Sequence, residues 1–296
     1  MVKPAFGIRR TNVKHLFDLT YGFNAASDVA VSKDGRIYVV DGLNNKIRIF
    51  NNNGKYISSF GRKGSQNAEF RFPLGIDVDS SGKIYIADSG NHRLQIFSPK
   101  GKFIAKISIP SKNNRPADPS DVVVDDTRKR CYIVDNDNHY ILVYDLTTLK
   151  LITTYGAPGT GKRGFRYPFF ITLDKEKYLY IVDVINTRVQ VLNPDGLFVT
   201  FIGGWGVEKG EFFRPKGVAI DQNNHVYVSD SYLGVIQIFD SEGEFYAVVS
   251  DPAKGTVKKF KTPTGLFIDN NNRLYVVEMF ANRVSVYRIE GDIVAN

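Results

Sequence analysis

Four short runs rich in apolar residues, separated by turn residues, recur along the whole chain. In the second copy these runs occupy 73–79, 83–88, 94–97 and 102–107, with Ser, Gly and Asn between them, and the third run alternates at period two. Runs of β-branched and aromatic residues that are bounded by turn residues predict strands. No window has the 3.6-residue period of a helix. The pattern therefore predicts an antiparallel meander of four strands in each copy.

The second run of every copy ends on an acidic residue, at a nearly constant spacing. These residues are Asp41, Asp88, Asp135, Asp183, Asp230 and Glu278. A repeat of about 50 residues indicates one supersecondary unit that is copied and stacked, and four-stranded sheets bury both faces when they pack around an axis. The sequence predicts an all-β fold: a six-bladed β-propeller of four-stranded antiparallel blades, at about 26–61, 73–108, 119–156, 168–203, 215–250 and 263–296.

The last copy is too short to supply its own outer strand, since only five residues follow Gly291. The segment 14–20 resembles 55–60, the outer strand of the first copy. We expect residues 1–22 to provide the missing strand, so that an N-terminal strand closes the ring and removes an exposed sheet edge. The whole chain, 1–296, would then form a single domain.

The motif of the second copy resembles a known family. It reads Pro-x-Gly-Ile-x-Val-Asp, then Gly-x-Ile-Tyr-x-x-Asp, then Asn-x-Arg-x-x-x-Phe over 73–97. This is similar to the NHL-repeat family of six-bladed propellers, and the resemblance covers nearly the whole chain, with the third copy the most divergent. Relatives include RNA-binding repressors, ligand-sensing domains and a metal-dependent amidating lyase. The resemblance therefore implies the fold, and function is argued from this chain's own residues.

Composition adds few constraints. No apolar run approaches the length of a membrane span, and the opening Met-Val-Lys-Pro lacks the apolar core of a signal peptide. Two alternatives remain open: an intracellular protein, or an exported domain whose signal is missing from this chain. The single cysteine, Cys131, falls in a predicted second strand and makes no intrachain disulfide. We expect a monomer.

The recurrent acids fit a structural role better than a catalytic one. Aspartate in a polar turn usually accepts hydrogen bonds from nearby backbone N–H groups, and a basic residue stands five positions after several of these acids, at Lys46, Arg93, Arg188 and Arg283. We therefore expect the acids to hold their own turns.

The resemblance also bears on metal binding. In the amidating lyase, metal-binding histidines follow the proline that opens an inner strand. The corresponding positions here hold Ser27, Leu74, Ser120, Phe169, Lys216 and Thr264. A catalytic zinc needs three protein ligands and one open position. We expect no metal site, no cofactor and no catalytic residue.

The formal net charge of +8 is informative where it is localised. The loops that join the fourth strand of one blade to the first strand of the next lie, with the second-to-third turns, on one face of a propeller, which we call the crossing face. Lysine and arginine are concentrated in these loops. The predicted partner-binding set is Arg62, Lys63, Arg71, Arg163, Arg166, Trp205, Lys216, Lys258, Lys259 and Lys261.

We therefore expect a non-catalytic binding or scaffold propeller that engages a protein or polyanion through its basic crossing face. One alternative is an RNA-binding NHL module, which would stack splayed bases on arginine and aromatic side chains and lose affinity steeply with salt. The other alternative is a lyase- or lactonase-like enzyme at the channel mouth, which requires acids or histidines with shifted pKa values there.

Overall fold

The computed structural model describes residues 9–294, which form strands, two single 3₁₀ turns and loops. The first strand is β1 (Arg9–Leu19). Blade 1 contains β2–β5 at Ala26–Val31, Ile37–Asp41, Lys46–Phe50 and Tyr56–Phe60. Blade 2 contains β6–β9 at Pro73–Val78, Ile84–Asp88, Arg93–Phe97 and Phe103–Ser108. Blade 3 contains β10–β13 at Pro119–Asp125, Arg130–Asp135, Tyr140–Asp145 and Leu151–Tyr155.

The second half repeats this order. The crossing loop to blade 4 holds the short β14 and β15 at Ala157–Pro158 and Gly164–Phe165. Blade 4 contains β16–β19 at Pro168–Leu173, Leu179–Asp183, Arg188–Leu192 and Phe198–Ile202. Blade 5 contains β20–β23 at Pro215–Ile220, Val226–Asp230, Val235–Phe239 and Phe245–Asp251, with the short β24 at Thr256–Val257. Blade 6 contains β25–β27 at Pro263–Ile268, Arg273–Glu278 and Arg283–Val294. The 3₁₀ turns are Ser89–Asn91 and Met279–Ala281.

The N-terminal strand closes the ring, as the sequence predicts. Strand β1 pairs antiparallel with β27, from Arg9 opposite Val294 to Leu19 opposite Val284, and so becomes the fourth strand of blade 6. Its first part also pairs in parallel with β23 of blade 5, with Arg10 opposite Val248. The strand is therefore longer than the segment 14–20, and it joins two blades into one continuous sheet. Residues 1–8 and 295–296 of the predicted segments lie outside the described residues.

The apolar core consists of six clusters, one between each pair of neighbouring blades, including blades 6 and 1. Four phenylalanines that precede inner strands, Phe70, Phe165, Phe212 and Phe260, are buried in these clusters, and so is Cys131. Burying apolar surface contributes about 25 cal/mol per Å², and here each blade gains it only from its neighbours. The predicted all-β propeller is confirmed, and the six four-stranded arrays agree with the predicted blade number. None of the described helical segments is long or apolar enough to cross a membrane.

The recurrent acids hold the crossing loops. Each accepts a hydrogen bond from the backbone N–H of a residue in the crossing loop that precedes its blade, as Asp88 does from Arg71 at 2.8 Å. The other pairs are Asn24 with Asp41, Asp118 with Asp135, Arg166 with Asp183, Phe213 with Asp230 and Lys261 with Glu278. One predicted partner is wrong, since Asp41 pairs with Arg48 at 2.6 Å and not with Lys46. Residues two apart on a strand point to the same face, so Arg48 can take the place that the prediction gave to Lys46.

Polar side chains on the inner strands connect neighbouring blades around the central channel. Ser27 Oγ donates to the carbonyl of Leu74 at 2.5 Å, and Ser120 Oγ donates to that of Phe169 at 2.8 Å. Thr264 Oγ1 donates to the carbonyl of Ser27 at 3.2 Å, across the seam between blades 6 and 1. These bonds satisfy strand edges that a sheet of only four strands leaves unpaired.

Candidate functional site

A cavity of about 600 Å³ opens on the crossing face over blades 4, 5 and 6. Its apolar walls come from the turn after β17, the crossing loop before β20 and the second 3₁₀ turn. The polar lining comes from the starts of two inner strands, β20 and β25. The lining residues are Val184, Ile185, Thr187, Trp205, Phe213, Arg214, Lys216, Ser231, Thr262, Thr264, Met279 and Phe280. The volume falls within the range of small-molecule sites.

The crossing loop before β20 presents an exposed tryptophan because its neighbours anchor it. Phe212 is fully buried and packs on Phe239, with ring centroids 5.4 Å apart. Its N–H donates to the carbonyl of Gly204 at 2.7 Å, so the loop is pinned on either side of Trp205. Trp205 itself is 74% exposed. Phe280, on the opposite wall, is 67% exposed. The cavity thus offers large apolar surface that the fold leaves uncovered.

Asp230 fixes the backbone around the basic lining residues. Its Oδ2 accepts from the N–H groups of Phe213 and Arg214 at 2.7 and 2.9 Å. Its Oδ1 accepts from the N–H groups of Tyr232 and Leu233 at 3.0 and 2.9 Å. A carboxylate with four backbone donors has its acceptor capacity filled. Asp230 therefore orders the loop and leaves the Arg214 guanidinium, which is exposed, without an ion pair among residues 9–294.

Lys216 lies at the bottom of the cavity, as the residue after the proline that opens β20. It is half-buried, and its Nζ lies 4.2 Å from the centroid of the Phe169 ring. Among the described residues, no carboxylate lies within ion-pair distance of this amine. Burial, and then the positive charge of Arg214, lower the pKa of Lys216 below its ordinary value. A lysine in this setting becomes a base closer to neutral pH than a surface lysine does.

Close packing of two inner strands brings Lys216 and Thr264 together. Gly217 permits the approach, because a Cβ there would lie 2.0 Å from the carbonyl oxygen of Thr264. Ser229 links the two strands: its Oγ accepts from Gly217 N–H at 2.7 Å and donates to the Thr264 carbonyl at 2.9 Å. Ser229 stands where the other second strands carry Val or Ala. This local departure from the repeat holds the base of the cavity in place.

Three carboxylic acids line the channel next to the cavity. Asp28, Asp77 and Asp121 each accept from the N–H of a residue in the next blade, at 3.0, 2.7 and 2.9 Å. Burial raises the pKa of Asp28 to about 8 and that of Asp77 to about 7. Burial, and then the charge of Asp28, raise the pKa of Asp121. Asp28 lies close to the cavity. Gly265 follows the cavity residue Thr264, and a Cβ on Gly265 would lie 2.4 Å from Asp28 Oδ1.

Sequence reasoning missed these acids. The recurrent acids at the ends of second strands drew attention, whereas Asp28, Asp77 and Asp121 occur on inner strands and break the repeat. A signal was present: Asp28 and Asp121 stand where blades 2, 5 and 6 carry Gly75, Gly217 and Gly265. An acid in place of an inner-strand glycine reaches the neighbouring blade, as Asp28 does where it accepts from Ile76 N–H.

Of the ten residues in the predicted partner-binding set, the structure brings only Trp205 and Lys216 into the cavity. Several of the others have partners of their own. Arg62 pairs with Glu69 at 2.9 Å, Lys258 with Asp251 at 3.7 Å, and Lys259 Nζ donates to the carbonyl of Leu233 at 3.0 Å. Arg71, Arg163, Arg166 and Lys261 use their backbone N–H groups to anchor crossing loops, and Lys63 makes a backbone bridge to Phe70.

The described residues contain no group of three or more His, Cys, Asp or Glu side chains arranged to hold a metal ion. The expected absence of a metal and of a cofactor stays a prediction.

Comparison with known proteins identifies the repeat and the fold. The NHL repeat family matches residues 70–97, which span β6 to β8. The chain has no match among the curated proteins. Similar solved structures include streptogramin B lyase, at 14% identity and a TM-score of 0.66 over 94% of this chain and 97% of the other.

Two further structures have the same fold. Virginiamycin B lyase from Staphylococcus aureus is 16% identical with a TM-score of 0.63, over 89% of this chain and 80% of the other. The gluconolactonase of Xanthomonas campestris is 12% identical with a TM-score of 0.71, over 97% and 99% of the two chains. At these identities the likeness establishes the fold alone.

The comparisons correct the expected role. The predicted role of a non-catalytic binding propeller is wrong as it stands, since the structural neighbours named above are two lyases and a lactonase. The physical reason is visible in the site. The basic residues that suggested a polyanion partner are spread around the crossing face, whereas Lys216 lies in one cavity together with aromatic side chains. The chain is thus a β-propeller with an NHL repeat at residues 70–97, as its resemblance to the NHL-repeat family indicated.

Proposed function

We propose that this protein is a lyase- or lactonase-like enzyme that cleaves a C–O bond of an ester or lactone at the mouth of its channel, with Lys216 as the base. One observation carries the proposal: a half-buried lysine without a carboxylate partner among the described residues lies in a cavity of about 600 Å³ with aromatic walls. The lowered pKa of Lys216 supports this role, because a general base works best when its pKa lies near the working pH.

Both kinds of chemistry begin with the removal of a proton by a base. In the lyase route, the neutral amine takes a proton from the carbon beside the carbonyl group, and the C–O bond at the next carbon breaks to give an alkene and a carboxylate. In the lactonase route, the amine takes a proton from water as the water oxygen bonds to the carbonyl carbon, and the ester C–O bond breaks as its oxygen takes up the proton. In the lactonase route the amine has then returned its proton to the leaving oxygen, and in the lyase route the protonated amine releases its proton to solvent.

Arg214 would assist in both routes. Negative charge develops on the carbonyl oxygen as the proton is removed, and a cation near that oxygen stabilises it most strongly where water is excluded. A substrate that covers the exposed rings of Trp205 and Phe280 would displace water from the cavity. Burial, and then the charge of Arg214, lower the pKa of Lys216, so the two residues act as a pair in which Lys216 is the base and Arg214 remains charged.

The first test needs no substrate. Reductive methylation with isotope-labelled formaldehyde gives each lysine an NMR signal, and the signal missing in Lys216→Met identifies this residue. We expect it to titrate below the ordinary lysine range, near 10.4. Lys83→Met is the matched control, since Lys83 is exposed in a hairpin on the opposite face. Titration of Lys216 in the ordinary range would exclude it as a base near neutral pH.

The second test measures turnover on a panel of lactones and esters. We expect Lys216→Met and Lys216→Arg to lower kcat/KM by about 10²–10⁴-fold, since arginine keeps the charge but cannot act as a base. Lys83→Met should retain full activity. Label from ¹⁸O water enters the product in the lactonase route and is absent from it in the lyase route. Hydrolysis or elimination that survives in Lys216→Arg would assign the base to another residue.

A further inference from the structure

The cavity has a composition that selects for charge. Two of its lining residues, Arg214 and Lys216, are cationic, and none of the twelve is acidic. Two acids that end second strands beside the cavity are already engaged: Asp230 with four backbone N–H groups, and Glu278 with Lys261 N–H, Arg283 and Ser285. Neither Arg214 nor Lys216 has an ion-pair partner among the described residues.

The walls select for shape. Trp205 and Phe280 expose large aromatic faces toward solvent, and Phe213 packs on Tyr232 with ring centroids 4.2 Å apart. Aromatic side chains bury about 150–250 Å² each when covered, and pairs of rings in offset or edge-to-face contact add to this. A flat apolar group between these rings would cover surface that the fold leaves in water.

Resting on the proposed function, we propose that the substrate of this site is an anion with a flat apolar group: an aromatic carboxylate in which the ester or lactone lies between the ring and the acid. The carboxylate would pair with Arg214, whose planar guanidinium matches it with two parallel hydrogen bonds. The ring would lie between Trp205 and Phe280. The scissile bond would then lie over Lys216, which is two residues from Arg214 along the chain.

The protein contains its own probe for this site. Trp205 is the single tryptophan of the 296 residues, so tryptophan emission reports on this cavity and on no other surface. We would titrate the full chain with four compounds. 3-Phenylpropionate has both the ring and a negative charge, 3-phenylpropanol has the ring without charge, 3-phenylpropylamine has the ring with a positive charge, and propionate has the negative charge without the ring. Isothermal titration calorimetry provides a second readout that does not depend on Trp205.

We expect 3-phenylpropionate to give a saturable change in emission and to bind at least tenfold more tightly than the alcohol, the amine or propionate. Arg214→Met should reduce its affinity to that of the alcohol and leave alcohol binding unchanged. Phe280→Ala should weaken binding of the acid and binding of the alcohol to the same degree. Arg62→Met is the control, because this arginine lies outside the cavity and its side chain is 79% exposed.

Equal binding of the acid and the alcohol, or an acid affinity that Arg214→Met leaves unchanged, would overturn the assignment. These outcomes are separate from the failure of the proposed function. Binding is measured without turnover. If the protein prefers the acid but cleaves no ester, the proposed enzymatic activity is refuted and the proposed ligand class is supported. A protein that cleaves neutral lactones with Lys216 as its base, and shows no preference for the acid, refutes only the ligand class.

Discussion

Single residues that break the repeat build the site. Gly75 and Gly265 leave space on the inner strands, and the carboxylates of Asp121 and Asp28 occupy it: a Cβ on Gly75 would lie 2.2 Å from Asp121 Oδ1, and one on Gly265 would lie 2.4 Å from Asp28 Oδ1. Each carboxylate in one blade thus depends on a missing side chain in its neighbour. The residues at one level of the channel therefore have to change together rather than singly.

A paired glycine experiment tests how closely the two strands under the cavity approach. Gly217→Ala should destabilise the protein by about 1–3 kcal/mol, the usual cost of an added methylene in a packed site, because the new Cβ would lie 2.0 Å from the Thr264 carbonyl oxygen. Gly204→Ala is the matched control in the same region, since nothing lies within 4 Å of its Cβ. Chemical denaturation with a common m-value gives the difference. Equal stabilities of the two variants would show that β20 and β25 are farther apart than the structure has them.

The sequence predicted the structural roles of the residues that repeat and missed the roles of those that do not. The acids at the ends of second strands and the buried phenylalanines recur at a fixed spacing, so their structural roles follow from position alone. Lys216 and Ser229 each occur once at their position in the repeat, and the acid at Asp28 recurs only at Asp121, so the role of each depends on what stands beside it in the next blade. That neighbour is distant in sequence: Ser229 Oγ donates to the carbonyl of Thr264, 35 residues further along the chain.

Among the elements, β1 has the largest structural effect for its length. Val13 and Leu19 are buried in the clusters of blades 5–6 and 6–1, and Leu16 and Phe17 pack against the second of these. The sequence predicted this strand from the missing outer run of the last copy. Its parallel pairing with β23 could not be predicted, because strand patterns specify which face is buried and not which edge a strand meets.

Deleting residues 1–22 should expose the edge of β27 and lower the melting temperature by about 10 °C or more, or cause aggregation. Each buried Val or Leu contributes about 1.5–3 kcal/mol, and 1 kcal/mol corresponds to about 2–4 °C at this size. A synthetic peptide of residues 9–22, added in excess, should restore part of the loss by pairing with β27. A truncated protein that stays monomeric with an unchanged melting temperature would show that β1 does not close the ring.

On the scale of the whole molecule, the channel acids make stability depend on pH. The pKa of Asp28 is raised to about 8 in the folded protein, so between about pH 4 and pH 8 the folded state binds more protons than the unfolded state. Stability therefore falls as pH rises through this window and changes little above it. Asp77 and Asp121 act in the same direction, because burial raises their pKa values as well.

Asp28→Asn should flatten this dependence. The amide oxygen can still accept the Ile76 N–H that Asp28 Oδ2 accepts at 3.0 Å, and the buried negative charge is gone. We expect the variant to be at least about 1 kcal/mol more stable than the parent at pH 8, given that one unit of pKa shift corresponds to about 1.4 kcal/mol, and close to it at pH 4. Chemical denaturation between pH 4 and pH 8 measures the difference in stability between variant and parent. Asp137→Asn is the control, because Asp137 is exposed. A parent whose stability rises from pH 4 to pH 8 would contradict the burial of these acids.

The fold followed from sequence because strand period and repeat spacing are local properties, and a net charge of +8 is a property of the total. Neither says which loops converge. The cationic residues of the crossing face are distributed around the ring, and only the meeting of blades 4, 5 and 6 selects Lys216 and Arg214 from among them.

The double pairing of β1 also constrains when the ring can close during synthesis. Of the described strands, β1 leaves the ribosome first, and its antiparallel partner β27, which ends at Val294, leaves last. At about 5–20 residues per second, β1 stays without that partner for roughly ten seconds to a minute while the blades between them form. Its polar positions, among them Arg10, Asn12 and Lys14, keep the waiting segment from being uniformly apolar. Strand β27 thus decides whether β1 finds its place, so closure of the ring waits for synthesis of the sixth blade.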